Sequence, residues 1–184
     1  VIENEGDYIA HKEGIELSVK KVLSLEYSIP ISEEKKVSSI DDILNDDEIE
    51  VVVEVMGGIE PAKTFITKCL RAGKTVVSAN KDLIAQHWAE LEGEAKKTGA
   101  GFYFEASVGG GIPILRAVTD SLQANTITQV YGIVNGTTNY ILTKMTDDGL
   151  DYGEVLKEAQ ELGYAEADPT KDVEGYDAMY KLSI

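Results

Sequence analysis

The chain predicts an α/β protein in which a parallel-sheet domain is followed by part of an α+β domain. Three observations carry this expectation. Residues 49–55 form an almost unbroken apolar, β-branched run, the pattern of a strand covered on both faces of a parallel sheet. Helical and strand patterns then alternate as far as residue 106, which implies parallel strands joined by right-handed crossovers. Near residue 112 this alternation ends. The expected division is a sheet domain over residues 1–112 and a second, partial domain over residues 113–184.

In chain order, residues 15–23 alternate apolar and polar well enough for a strand. Ser39 with Asp42 three residues on resembles a helix N-terminal capping box, and Ile40, Ile43 and Leu44 give the short helix its apolar face. The run 49–55 ends at Gly57-Gly58. Pro61 suits a first helical turn, Ala62, Phe65, Ile66, Cys69 and Leu70 share one helical face, and Gly73 stands where a C-cap belongs. Residues 75–78 read as a strand, 83–97 as a helix and 101–106 as another strand. Past the glycine run 109–111 come a helix over 113–122, a strand over 126–134, and helices over 137–145 and 152–162.

Composition narrows the function classes. Lys and Arg total 17 against 33 Asp and Glu, a formal charge of −16, which argues against nucleic acid and anionic membrane surfaces as partners. No apolar run reaches the length of a membrane span, and the first residues are not a secretory signal. The single cysteine, Cys69, permits no internal disulfide and suits a reducing compartment. A cytoplasmic protein is expected. Both ends fall inside apparent secondary structure, so the chain reads as an interior piece of a longer protein.

In open parallel sheets ligands sit beyond the carboxyl ends of the strands. Three such places stand out: Met56-Gly57-Gly58, Ser78-Ala79-Asn80-Lys81-Asp82, and Glu105 with the following glycines. Each alone is also ordinary turn chemistry; together, at equivalent sheet positions, they point to a site. A G-x-G-x-x-G turn does not occur in the sequence. If residues 1–9 are the tail of a first helix, the phosphate loop lies upstream.

Residues 159–181 are the most informative. Asp177 and Lys181 are four apart and share a helix face, while Glu166 and Asp172 lie on the preceding loop, where Asp168-Pro169 marks a turn. An isolated pair of this kind is often a surface ion pair. Clustered carboxylates can also bind an ammonium group, and a lysine held by a carboxylate can exchange a proton with an oxygen.

This segment, with its Ala, a Gly four later, an Asp-Pro and then Asp, Gly, Asp and Lys, resembles the signature of homoserine dehydrogenases. Residues 132–141, 105–113 and 78–81 resemble further motifs of that family, in family order. The resemblance implies a Rossmann-like nucleotide-binding domain over residues 1–112 and a catalytic domain over 113–184. It implies NAD- or NADP-dependent interconversion of homoserine and aspartate 4-semialdehyde, on the route to threonine, methionine and isoleucine.

By motif, Lys181 corresponds to the proton donor and acceptor, oriented by Asp177. Glu166 and Asp172 correspond to substrate-binding acids, and Gly136 and Thr137 to the turn lining the same pocket. Lys81 corresponds to a lysine near nicotinamide and substrate, with Met56, Gly57 and Ser78 on the cofactor side. Glu105, Val108, Gly110 and Ile112 match positions that hold a structural sodium ion, and oxygen-only ligation suits a hard cation. After the strand at 15–23, where NADP-using members place an arginine, the chain reads Ser24-Leu25-Glu26; an acid there favours NAD. A homodimer is implied by the resemblance alone. Two rivals stay open: another amino-acid or semialdehyde dehydrogenase, and a catalytically inactive fragment that binds only substrate or a partner chain.

Overall fold

A computed structural model describes residues 2–27 and 30–184; Val1, where the helical pattern at the start begins, lies outside the described residues. The elements of the first half are α1 (Ile2–Glu13), β1 (Val22–Leu23), β2 (Lys36–Val37), α2 (Ile40–Leu44), β3 (Val51–Glu54), α3 (Ala62–Arg71), β4 (Thr75–Ser78), α4 (Lys81–Thr98) and β5 (Phe102–Tyr103). The second half carries α5 (Ile114–Arg116), α6 (Gly136–Asp147), α7 (Tyr152–Glu161), α8 (Thr170–Val173) and α9 (Tyr176–Ser183). Among the described residues all ladders are parallel: β1 pairs with β2, and β4 lies between β3 and β5. Parallel strands with flanking helices make this the expected Rossmann-like α/β fold.

Local chemistry explains most boundaries. At α2 both halves of the capping box form: the Ser39 side chain accepts from the backbone of the first turn, and the Asp42 carboxylate accepts from the Ser39 N–H. After α3, Gly73 takes φ 77°, which lets its N–H reach Leu70 O at 3.0 Å and the Lys74 N–H reach Cys69 O at 3.0 Å. That is a Schellman closure, and a residue with a Cβ would be strained in it. Asn80 caps α4 by accepting from the Leu83 N–H, so α4 begins at Lys81, two residues before the expected start.

The core of the first half is the apolar stripe of α3 packed on α4 and the sheet. Ile66, Leu70, Val76, Leu83, Ile84 and Leu91 are all at most 2% exposed. Burial of each stabilises the fold by roughly 1.5–3 kcal/mol. Glu94 ties the same two helices at their rim, taking Arg71 Nε and Lys97 Nζ at 2.7 Å each. A second, smaller core gathers Ile141, Val155, Ala159 and Ala165 where α6 crosses α7.

Four elements depart from expectation. The strand expected over 15–23 forms a ladder only at Val22–Leu23, because its partner is Lys36–Val37, a segment whose polarity reads as loop. β3 is expected to be covered on both faces, yet Val51, Val53 and Val55 are 47%, 55% and 75% exposed. β3 pairs only with β4 among the described residues, and a cavity of about 570 Å³ separates its other side from residues 16–23. The strand expected over 101–106 stops at Tyr103, and Glu105–Ser107 turn as a 3₁₀ helix. Residues 126–134, expected as a strand, pair with no strand among the described residues. No helix among the described residues is long and apolar enough to cross a membrane.

Candidate active site

The second half folds back so that α9 lies against α4, and residues far apart in sequence meet at the start of α4. Asp177, in the first turn of α9, is 6% exposed. Its Oδ1 accepts from Lys81 Nζ, in the first turn of α4, in a short contact. Its Oδ2 accepts from Lys181 Nζ at 2.7 Å and from Asn135 Nδ2 at 2.8 Å. One buried carboxylate therefore holds two ammonium groups and an amide. A second salt bridge, Lys171 with Asp82, joins the same two regions one residue further along α4.

Asn135 belongs to the cluster although its spacing gave it no role. As N-cap of α6 it accepts the Thr138 N–H at 2.8 Å through Oδ1. Its Nδ2 donates to Asp177 and also to Asp172 Oδ1 at 2.7 Å, so a single amide separates two carboxylates. The available signal was Asn135 immediately before Gly136-Thr137, but a capping role accounts for it fully until the loop carrying Asp172 is placed.

Thr137 is buried, with its hydroxyl 2.6 Å from Tyr164 O and 3.0 Å from Asp172 Oδ2. A hydroxyl has one proton, so it serves one of these acceptors at a time. Gly136 opens α6 beside it.

Lys181 Nζ donates to Asp177 and to the carbonyl of Val134. An ammonium has three protons to donate. One therefore has no protein acceptor among the described residues.

Burial works against ionisation of Asp177, but the hydrogen bonds from Asn135, Lys181 and Lys81 outweigh it and hold the carboxyl down at about 2. A folded-state value below the ordinary 3.8 means that the unfolded chain binds the proton more readily. The contribution to stability is thus fully present above about pH 4 and is lost as pH falls towards 2. In the full-length protein, the urea midpoint of the native sequence should fall more steeply than that of Asp177→Ala between about pH 5 and about pH 2.5. Parallel curves would remove Asp177 from this role.

The structure does not bring every expected residue together. Glu166 is exposed, and no side-chain hydrogen bond or ion pair joins it to the cluster among the described residues. Its loop is pinned through backbone instead, with Gln160 Nε2 donating to the carbonyls of Glu166 and Ala167 at 3.1 and 3.3 Å.

On the cofactor side, Met56 is 48% exposed, and Gly57 and Gly58 take φ 75° and 69° with open space where a Cβ would stand. A flat ligand could approach this backbone closely. The Ser78 hydroxyl is engaged elsewhere: it donates to Glu54 Oε2 at 2.6 Å and accepts the Asn80 N–H at 3.1 Å. Of the positions expected to hold sodium, Glu105 accepts the backbone N–H groups of Leu115 and Arg116 at 3.1 and 2.9 Å, one on each carboxylate oxygen. Each oxygen retains a lone pair, and the carbonyls of Val108 and Gly110 carry no hydrogen bond among the described residues. The Ile112 carbonyl already accepts from Ile114 at 2.8 Å. Oxygen donors of this kind are what a hard cation prefers.

The chain is similar to known proteins over its whole length. Residues 12–105 match the family model "Homoserine dehydrogenase, NAD binding domain", and residues 113–184 match the model "Homoserine dehydrogenase". It is 47% identical to the homoserine dehydrogenase of Bacillus subtilis, with all of this chain aligned to 43% of that protein. Identity to the Lactococcus lactis homoserine dehydrogenase is 55%, over 80% of this chain and 35% of the other. Among solved structures, a homoserine dehydrogenase from Thiobacillus denitrificans superposes with a TM-score of 0.90 at 41% identity, over 98% of this chain and 43% of that one. A hyperthermophilic archaeal homoserine dehydrogenase in complex with NADPH gives 0.75 at 34% identity, over 83% of this chain and 48% of the other. The chain spans less than half the length of these relatives.

Proposed function

The chain belongs to the homoserine dehydrogenase family, and on that premise we propose that the full-length protein interconverts L-homoserine and L-aspartate 4-semialdehyde, with NAD or NADP as hydride carrier. The observation that carries this reading is the Lys181 ammonium, held by Asp177 and the Val134 carbonyl with one donor left for a substrate oxygen.

The bound nicotinamide supplies the chemistry of accepting a hydride from the alcohol carbon, or returning one to the aldehyde carbon. The protein's part is the proton. In the oxidative direction the alcohol oxygen loses its proton to the Lys181 amine; in reduction the Lys181 ammonium returns it to that oxygen. Asp177 fixes where the Lys181 nitrogen stands, and Lys81 contributes a second positive charge beside the same oxygen. Asp172 and Glu166 take the substrate ammonium group, with Gly136 and Thr137 shaping the pocket wall.

Met56, Gly57, Ser78 and Lys81 would hold the nicotinamide cofactor. Glu26, after β1, would favour NAD by accepting from the ribose hydroxyls. Glu105, Val108, Gly110 and Ile112 would hold a structural sodium ion, and the boundary between the nucleotide-binding and catalytic domains lies near residue 112. The protein acts in the cytoplasm as a homodimer, in threonine, methionine and isoleucine biosynthesis; neither nucleic acid nor membrane is a partner. The match of both halves to homoserine dehydrogenase models does not favour the rival reading of an inactive binding core.

The test follows nicotinamide absorbance in the full-length protein, with homoserine and with aspartate semialdehyde, under NAD and NADP separately. Turnover is expected, faster with NAD. Silence in every pairing would overturn the proposal.

A further inference from the structure

Glu54, the last residue of β3, takes no part in the chemistry above, yet it is only 5% exposed and pairs with no cation among the described residues. Burying a carboxylate without a counter-charge is unfavourable unless hydrogen bonds replace the lost water. Here two do. Oε1 accepts the Met56 N–H at 2.7 Å, and Oε2 accepts the Ser78 hydroxyl at 2.6 Å.

The Ser78 oxygen then accepts the Asn80 N–H at 3.1 Å, and Asn80 Nδ2 donates to Gly58 O at 2.6 Å. This closes a ring from the turn after β3, across to the turn after β4, and back. Its polarity is fixed throughout. The one hydroxyl proton of Ser78 goes to Glu54, so its oxygen is left to accept from Asn80.

We propose that Glu54 is a positioning residue, holding the cofactor-side turn Met56-Gly57-Gly58 and the lysine-bearing end of α4 in one geometry. The role rests on the dehydrogenase reading. Asn80 connects the two functions, because it both closes the ring and caps the helix whose first residue, Lys81, reaches Asp177. An apolar residue would fill the same strand position but would leave the Met56 N–H and the Ser78 hydroxyl unpaired. Glutamine has the right shape and the wrong polarity. With its oxygen on the Met56 N–H, its amide donates to Ser78, and the Ser78 proton loses its acceptor.

The experiment uses full-length protein carrying Glu54→Gln, Lys81→Ala or both, with Ser78→Ala breaking the same link should Glu54→Gln fail to fold. If Glu54 acts through the ring, Glu54→Gln lowers kcat about tenfold with Lys81 present and less than about twofold in the Lys81→Ala background. Amide exchange at Met56 and Asn80 should quicken together by about tenfold or more. Equal losses in both backgrounds, or unchanged exchange, would overturn the assignment and leave Glu54 a packing residue. Absence of turnover in the unsubstituted protein would instead defeat the dehydrogenase reading, and the exchange measurement would then decide the ring alone.

Discussion

Lys181→Ala in the full-length protein is expected to lose about 10²- to 10⁴-fold in kcat while NAD(P) binding stays close to that of the native sequence. The magnitude is that of a positioned proton donor and acceptor. It is assigned to Lys181 because the motif resemblance gives that position the role, and its ammonium keeps a donor for substrate after satisfying Asp177 and the Val134 carbonyl. Lys81 sits on the other oxygen of Asp177 and contributes charge, so its loss should be the milder of the two. Lys181→Arg separates proton transfer from charge. A guanidinium keeps the positive charge and can pair with Asp177, but it does not surrender a proton at working pH. Arginine should therefore be nearly as inactive as alanine. Substantial activity in Lys181→Arg would reduce Lys181 to an electrostatic anchor, and unchanged activity in Lys181→Ala would remove it from the reaction.

The sequence made legible whatever depends on short-range chemistry. Ser39 and Asp42 announce α2, Gly73 announces the end of α3, and both act within five residues, where the pattern is complete in itself. β1 and β2 were harder to read because a two-residue ladder leaves almost no periodicity, and Lys36 is a poor advertisement for a strand. Residues 126–134 show the reverse case: β-branched residues report a preference for extended backbone but do not supply a partner, and among the described residues no strand pairs with them.

The candidate site divides in the same way. Asp177 and Lys181 meet through helix geometry alone, so their spacing sufficed. Lys81 and Asp177 are 96 residues apart, and only the resemblance to a family put them in one site before the fold did. Asn135 and Glu54 escaped for a different reason. An asparagine before a helix and a glutamate ending a strand each have an ordinary local role, and nothing local shows that their second hydrogen bonds run 42 and 24 residues away.

Asn135 is where the second large effect is expected, and its capping role makes a clean probe available. Aspartate caps a helix as well as asparagine does, so Asn135→Asp should preserve the acceptance of the Thr138 N–H and the start of α6. On the other branch it replaces an amide that donates to Asp172 and Asp177 with an oxygen that can only accept. Three carboxylates would then face one another. Each lost bond to a charged acceptor is worth about 1.5–3 kcal/mol. Those bonds belong to the free enzyme, so their energy is lost from stability; activity falls because Asp172 and Asp177 shift, and a misplacement of about 1 Å can cost about 10²-fold in kcat/KM. Asn135→Ala should lose less activity than Asn135→Asp, because it removes the donors without adding a repelling charge, although the cap on α6 goes with them. If Asn135→Asp keeps native activity, capping is its whole function, and Asp172 and Asp177 hold their places without it.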